Sequence, residues 1–146
     1  MKRFAFTLQS IYDIALAKER QLKLDMQKIE DRRKRIQKEL DDTKSALSDA
    51  KKKSLHEMCA GVDADRLMQY EHYFDKLGAI IAVLKENKAK IEREKEKCLQ
   101  AQIENRKEIK TLEKLRKKQY EEYLLELRSE EEKAIGDLVA YRSTIH

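Results

Sequence analysis

Apolar residues return every seven positions along most of this chain, and few folds are compatible with that period. Leu8, Ala15, Leu22, Ile29, Ile36, Thr43 and Ala50 form one set. Tyr12, Met26, Leu40 and Leu47 form the interleaved set, with polar Glu19, Arg33 and Ser54 in the same row. After Gly61 a second ladder begins, with Leu67, Phe74 and Ile81 on one set and Tyr70, Leu77, Leu84, Ile91 and Cys98 on the other. Steps that alternate between three and four residues draw a narrow apolar seam along a helix. This is the pattern of a coiled coil, not of a helix lying on a globular core.

The one break in the ladder lies at Cys59 to Asp65, where Gly61 allows a left-handed C-cap and Asp63 or Asp65 can cap a new helix. The chain contains no proline to interrupt either arm, and 42% of its residues are charged, mostly the good helix formers Glu, Lys and Arg. The expected fold is therefore all-α: two long antiparallel helices in a single coiled-coil hairpin over residues 1–146. Helix 1 is placed at about 6–58, with Thr7 or Ser10 as N-cap, the turn at 59–65 and a longer helix 2 at about 64–142. With the turn centred near residue 62, the numbers of facing residues should sum to about 124.

A two-helix hairpin has surface but no cleft, so contact is expected and catalysis is not. No glycine-rich phosphate loop is present, and the many paired carboxylates lie on helix faces with no pocket to shift their pKa values. His56-x-x-Cys59 has helical ligand spacing and His72 lies two turns into helix 2, while His146 stands alone. A zinc site there would need Glu57 or an aspartate as fourth ligand, a poor match to thiolate-rich structural sites, so no metal or other cofactor is expected. The longest apolar run, Gly78 to Leu84, is too short to span a membrane, and Met1-Lys2-Arg3 is not followed by a signal-like apolar segment. Two cysteines make no disulfide framework, and Cys98 falls on the seam as a small hydrophobe. The net charge is +5, with acidic and basic residues interleaved as on solvated helix faces.

Two apolar strips exceed what the hairpin seam can cover. Helix 2 beyond about Lys118 outruns helix 1, yet Tyr120, Leu124, Leu127, Ala134, Leu138 and Tyr141 continue at mostly three and four spacing. The stripe is expected to change phase between Leu112 and Tyr120 by way of Arg116, as in a stutter. Near the turn, Tyr73 and Ile80 widen the arc of Leu77 and Leu84 beyond a two-stranded seam. That strip either packs sideways on Leu55 and Met58 or serves as a docking site.

The run Phe4-x-Phe6-x-Leu8-Gln9-x-x-Tyr12, followed by Ala15 and Glu19, resembles the start of many FliJ proteins of the flagellar type III export apparatus. The resemblance continues in Arg66-Leu-Met-Gln-Tyr70-x-x-Tyr73-Phe74-x-x-Leu77 and in Leu112-x-x-Leu115-x-Lys117-Lys118-x-Tyr120. It reappears at Glu131-Glu132-Lys133 ahead of Asp137, so it covers nearly the whole chain. Ala46, Leu47 and Ala50 stand where some members carry aromatic residues, and Gly136 where an acid is common. The resemblance implies a stalk like that of rotary ATPases, which enters the hexameric export ATPase (FliI-like) and meets the export gate protein (FlhA-like), with export chaperones as further partners. It implies a gate contact at Tyr73, Leu77, Ile80 and Leu84. The expected ATPase contact combines the N-terminal Phe4 and Phe6, the basic Arg116, Lys117 and Lys118, and the overhang residues Tyr120, Leu124, Leu127 and Leu138.

The resulting expectation is a non-enzymatic adaptor that stimulates the ATPase and couples it to the gate. It would be cytoplasmic and peripheral at the inner membrane through its partners, with neither membrane insertion nor specific nucleic-acid binding. Two alternatives stand beside it. One is a structural coiled coil that self-associates through Tyr120 to Tyr141. The other is a basic hairpin that binds RNA or ribosome, which salt-sensitive binding would favour.

Overall fold

The computed structural model describes residues 2–145; Met1, named above in the leader-like run, and the lone His146 lie outside the described residues. Among the described residues the secondary structure is two helices, α1 (Gln9–Ala60, 52 residues) and α2 (Ala64–Ile145, 82 residues). The helices pack antiparallel as a hairpin, and the second is the longer, as the ladder requires. The chain divides into two compact units: Leu22–Ala101, which holds the turn, and a second built from the chain up to Gln21 with the chain from Gln102 onward.

The turn is shorter than the sequence reading, because α1 continues through Cys59 and Ala60. Gly61 adopts φ +87° and donates its N–H to Met58 O at 3.2 Å, closing the helix with a left-handed residue. Asp63 caps α2: its Oδ1 accepts from Arg66 N at 3.0 Å and its backbone carbonyl from Leu67 N at 3.3 Å. Asp65 falls inside the first turn of α2. Gly61→Ala should lower stability by about 1–2 kcal/mol through left-handed backbone strain. At Gly78, which has open space around the position of a Cβ, alanine should raise it by about 1 kcal/mol. Paired urea titrations followed by circular dichroism would show the opposite signs.

In the turn-containing unit the core is Ile29, Ile91 and Cys98, with Leu22, Met26 and Ile36 packed on it. Leu40, Leu77 and Leu84 are also buried on the seam. Each fully buried aliphatic side chain contributes about 1.5–3 kcal/mol. Ion pairs border the seam, with Arg32 to Glu94 at 2.6 Å and Lys95 to Glu30 at 2.8 Å. The Lys95 ammonium, and after it the Arg33 guanidinium, hold the Glu30 carboxyl below the ordinary carboxylate value. The first pair is exposed and the second half-exposed, so they fix alignment more than they add stability. The Cys98 thiol donates to Leu22 O at 3.7 Å, and burial pushes its pKa up, so it stays a neutral packing group.

In the other unit Phe6, Ala15, Ile109 and Leu112 form the core, flanked by Phe4, Leu8, Tyr12 and Leu16. Asn105 is buried among them, with Nδ2 donating to Ala15 O at 3.1 Å. The interleaved polar positions on helix 1 are accounted for locally: Glu19 accepts from Arg106 at 3.2 Å, Arg33 pairs with Glu30 at 3.1 Å, and Ser54 is small enough to be buried. The register matches the turn geometry in both units. Tyr12 meets Glu113 and Glu30 meets Lys95, each pair summing to 125, while Arg32 and Glu94 sum to 126.

Helix 1 begins three residues later than the sequence reading. Residues 2–6 are non-helical, the helix proper starts at Gln9, and the Leu8 carbonyl accepts the first helical bond from Tyr12 N at 2.9 Å. Neither Thr7 nor Ser10 acts as N-cap. Thr7 instead pairs with Gln119, accepting from its Nε2 at 3.0 Å.

Candidate interaction surfaces

The strip beside the turn divides by position on the helix. Leu77 and Leu84 lie in the seam and are buried, each 8% exposed. Tyr73 and Ile80 flank the seam and remain 44% and 39% exposed. The lateral packing that could have covered them is absent, since Leu55 and Met58 are themselves exposed. The register places Ile80 level with Ser45 and Ala46, whose side chains are too short to cover an isoleucine. Val83, one turn beyond Ile80, is also exposed, but at about 100° per residue it lies about 60° further from the seam, outside the arc that Tyr73 and Ile80 widen.

The turn itself is braced by charge. Arg66 donates from Nε to Glu57 at 3.2 Å and from Nη2 at 3.3 Å, a two-bonded fork, and lies over the Tyr70 ring at 5.0 Å. The hydrogen-bonded Arg66 guanidinium holds the Glu57 carboxyl below its ordinary value. Burial, and then the Glu57 carboxylate, push the Tyr70 phenol up. Among the described residues no group of three His, Cys, Asp or Glu side chains gathers as metal ligands, so His56, Cys59 and His72 are not brought into a site. Among the described residues no helix is long and apolar enough to cross a membrane.

At the far end the N-terminal residues form a strap on helix 2. Phe4 packs edge-on against Tyr120 with centroids 5.1 Å apart and lies 5.6 Å from Tyr123, whose hydroxyl donates to Lys2 O at 3.0 Å. Phe6, 7% exposed, is a core residue with little surface to offer a partner. Phe4, Phe6 and Leu8 lie inward and Ala5 and Thr7 outward, a period of two that a heptad count does not carry.

This strap corrects the expectation that helix 2 loses its cis partner beyond Lys118. Tyr120 and Tyr123 are partnered by Phe4. The expected phase change does not fall between Leu112 and Tyr120: Gln119, seven after Leu112, is drawn inward by Thr7, and the two successive steps of four come later, from Gln119 through Tyr123 to Leu127. Arg116 points to solvent with Lys117 and Lys118, and Phe4, Glu113, Arg116, Lys117 and Tyr120 line a shallow groove. Leu124 is 38% exposed and Leu127 half-buried. From Arg128 to Ile145 every residue is exposed, Leu138 among them at 62%. Ile135, Val139 and Ile145 share that exposure; Ile135 and Val139 lie to one side of the stripe of Leu127, Ala134, Leu138 and Tyr141, and Ile145 lies past its end.

Two antiparallel helices zipped by a heptad seam, with apolar side chains left in solvent beside the turn and on the protruding end of helix 2, define a coiled-coil hairpin protein. The chain belongs to the FliJ family: the family model described as Flagellar FliJ protein matches residues 4–144, nearly its whole length. Membership associates the chain with flagellar protein export. No curated protein sequence and no solved structure matches it.

Proposed function

We propose that this protein is a non-enzymatic stalk and adaptor of the flagellar type III export apparatus. It binds the hexameric export ATPase, raises its turnover and links it to the export gate, at the cytoplasmic face of the inner membrane through these partners. What carries the reading is a full-length family match on a hairpin that leaves apolar side chains uncovered at two separate places along helix 2. Tyr73 and Ile80 supply the exposed part of the gate contact, and Leu77 and Leu84 hold its base from the seam. Phe4, Arg116, Lys117, Lys118, Tyr120, Leu124, Leu127 and Leu138 supply the ATPase contact, with Phe6 anchoring the strap from below. A stalk that binds the assembled ring better than separate subunits shifts them toward the ring, and hence toward turnover.

The test is a reconstitution with two readouts. Added where the ATPase ring is incompletely assembled, the chain should raise ATP hydrolysis, and Leu124→Asp with Leu127→Asp should abolish the gain. Tyr73→Ala with Ile80→Ala should weaken capture of the gate protein while leaving ATPase stimulation and helicity intact. Stimulation that survives deletion of residues 120–145 would remove the overhang from the ATPase contact, and unchanged gate capture would reduce the strip to packing.

A further inference from the structure

Helix 2 carries a stripe of unpaired lysines next to the strap. At about 100° per residue, Lys107, Lys110, Lys114, Lys117 and Lys118 fall within one arc of about 100°. All five are exposed, and among the described residues none of them forms an ion pair. Residues 104–121 carry seven basic and four acidic residues, net +3. The four acids lie off the stripe or beyond it. Glu108 falls on the other flank of helix 2, and Glu113 reaches toward helix 1, accepting from the Tyr12 hydroxyl at 3.4 Å. Glu104 and Glu121 stand past its two ends.

The stripe runs into an aromatic platform. Tyr120 is 45% exposed and, with Phe4, Glu113, Arg116 and Lys117, lines a groove of about 300 Å³. Phe4 meets its ring edge-on and Tyr123 stacks beside it, with centroids 6.3 Å apart, so the ring is fixed in place. The two features together select a ligand. Lysine is a point charge that neutralises phosphate without fixing its orientation, and a row of lysines can follow a phosphate backbone. An aromatic ring at the end of that row takes a base by stacking, whichever base it is. An acidic helix would use the lysines and leave the ring idle. A duplex would offer phosphates but no unstacked base.

We propose that this face of helix 2 binds single-stranded nucleic acid without sequence preference, its phosphates along Lys107, Lys110, Lys114 and Lys117 and a base against Tyr120. From Lys107 to Tyr120 is about 20 Å at about 1.5 Å per residue, so the site holds only a short stretch of strand. The proposal goes beyond the stalk reading and does not depend on it. Lys117 and Tyr120 also belong to the ATPase contact proposed above, so the two ligands exclude one another on this face.

The experiment titrates the full-length chain into a fluorescein-labelled oligouridylate of about twelve nucleotides, read by fluorescence anisotropy at several salt concentrations. The wild-type chain should bind at low salt, with log K falling against log salt at a slope of about −3, as for four phosphates neutralised on a single strand. Lys107→Gln, Lys110→Gln, Lys114→Gln and Lys117→Gln combined should weaken binding about tenfold or more and flatten that slope. Tyr120→Leu, which keeps an apolar side chain against Phe4, should weaken it about tenfold, while Tyr120→Phe binds as the wild type does. Circular dichroism should report unchanged folding, since all these sites are exposed. No binding by the wild-type chain, or an unchanged affinity in the lysine variant, overturns the proposal. Equal binding by Tyr120→Leu and wild type removes the base platform and overturns it too. An oligoglutamate of the same length that displaces the label as well as unlabelled oligouridylate does would assign the face to an acidic protein instead.

Discussion

Asn105→Asp should destabilise the protein by about 3–5 kcal/mol at neutral pH, although it changes one NH2 group for one oxygen. Asn105 is 2% exposed, and its Nδ2 donates to Ala15 O at 3.1 Å. Its Oδ1 is buried with no hydrogen-bond partner among the described residues. The aspartate loses the donor and aims a carboxylate at a carbonyl oxygen in a buried site. Burial raises its folded-state pKa above the unfolded value. The penalty is therefore small below the ordinary carboxylate pKa, where the protonated group can still donate to Ala15 O. It grows as pH rises through that value and levels off above the folded-state pKa. Urea unfolding of variant and wild type at about pH 4 and about pH 8 brackets this range. A difference that stays below about 1 kcal/mol at both would mean that Asn105 is not held as described.

Ile109→Ala should cost about 2–5 kcal/mol, the transfer term plus the cavity left behind. Ile109 is fully buried at 0% exposure, between Phe6, Ala15 and Leu112. The same substitution at Ile135, 62% exposed on the same helix, should stay within about 0.5 kcal/mol. Thermal unfolding of the pair separates core from surface without any binding partner. Equal shifts at the two sites would contradict the burial pattern.

The seam was legible because its cause, a seven-residue period, is written directly in the sequence. Ala15, Ile29, Leu40, Ser54, Leu77, Leu84, Ile91 and Cys98 are buried where the ladders place them. The facing register followed from the position of Gly61, since one glycine with positive φ fixes where the chain reverses. Asn105 and Leu112 continue the second ladder past Cys98 at the same step, and a polar residue there obscured the continuation. The strap was not legible from heptads. Its order comes from tertiary contacts of Phe4 and Phe6 with residues more than a hundred positions away, and a helical period says nothing about an extended segment. Among the surface residues, periodicity located the strip of Tyr73 and Ile80 but not how much of it stays uncovered. That depends on the size of the side chains level with the strip, Ser45 and Ala46 in the case of Ile80.

The bond from the Tyr123 hydroxyl to Lys2 O joins residues 121 positions apart. Contacts around the turn, such as Arg66 with Glu57, span nine. During synthesis Lys2 and Phe6 emerge long before their partners on helix 2, and are thus among the last to find their place. The Phe6 and Ala15 side chains must wait in solvent until Ile109 and Leu112 have been made, whereas the hairpin around Gly61 closes as soon as it is extruded. Loop closure favours zipping outward from the turn, because each new pair then closes only a short loop. The amino-terminal aromatic residues are accordingly the part of the nascent chain that stays sticky longest, and the part a ribosome-associated chaperone would have most time to hold.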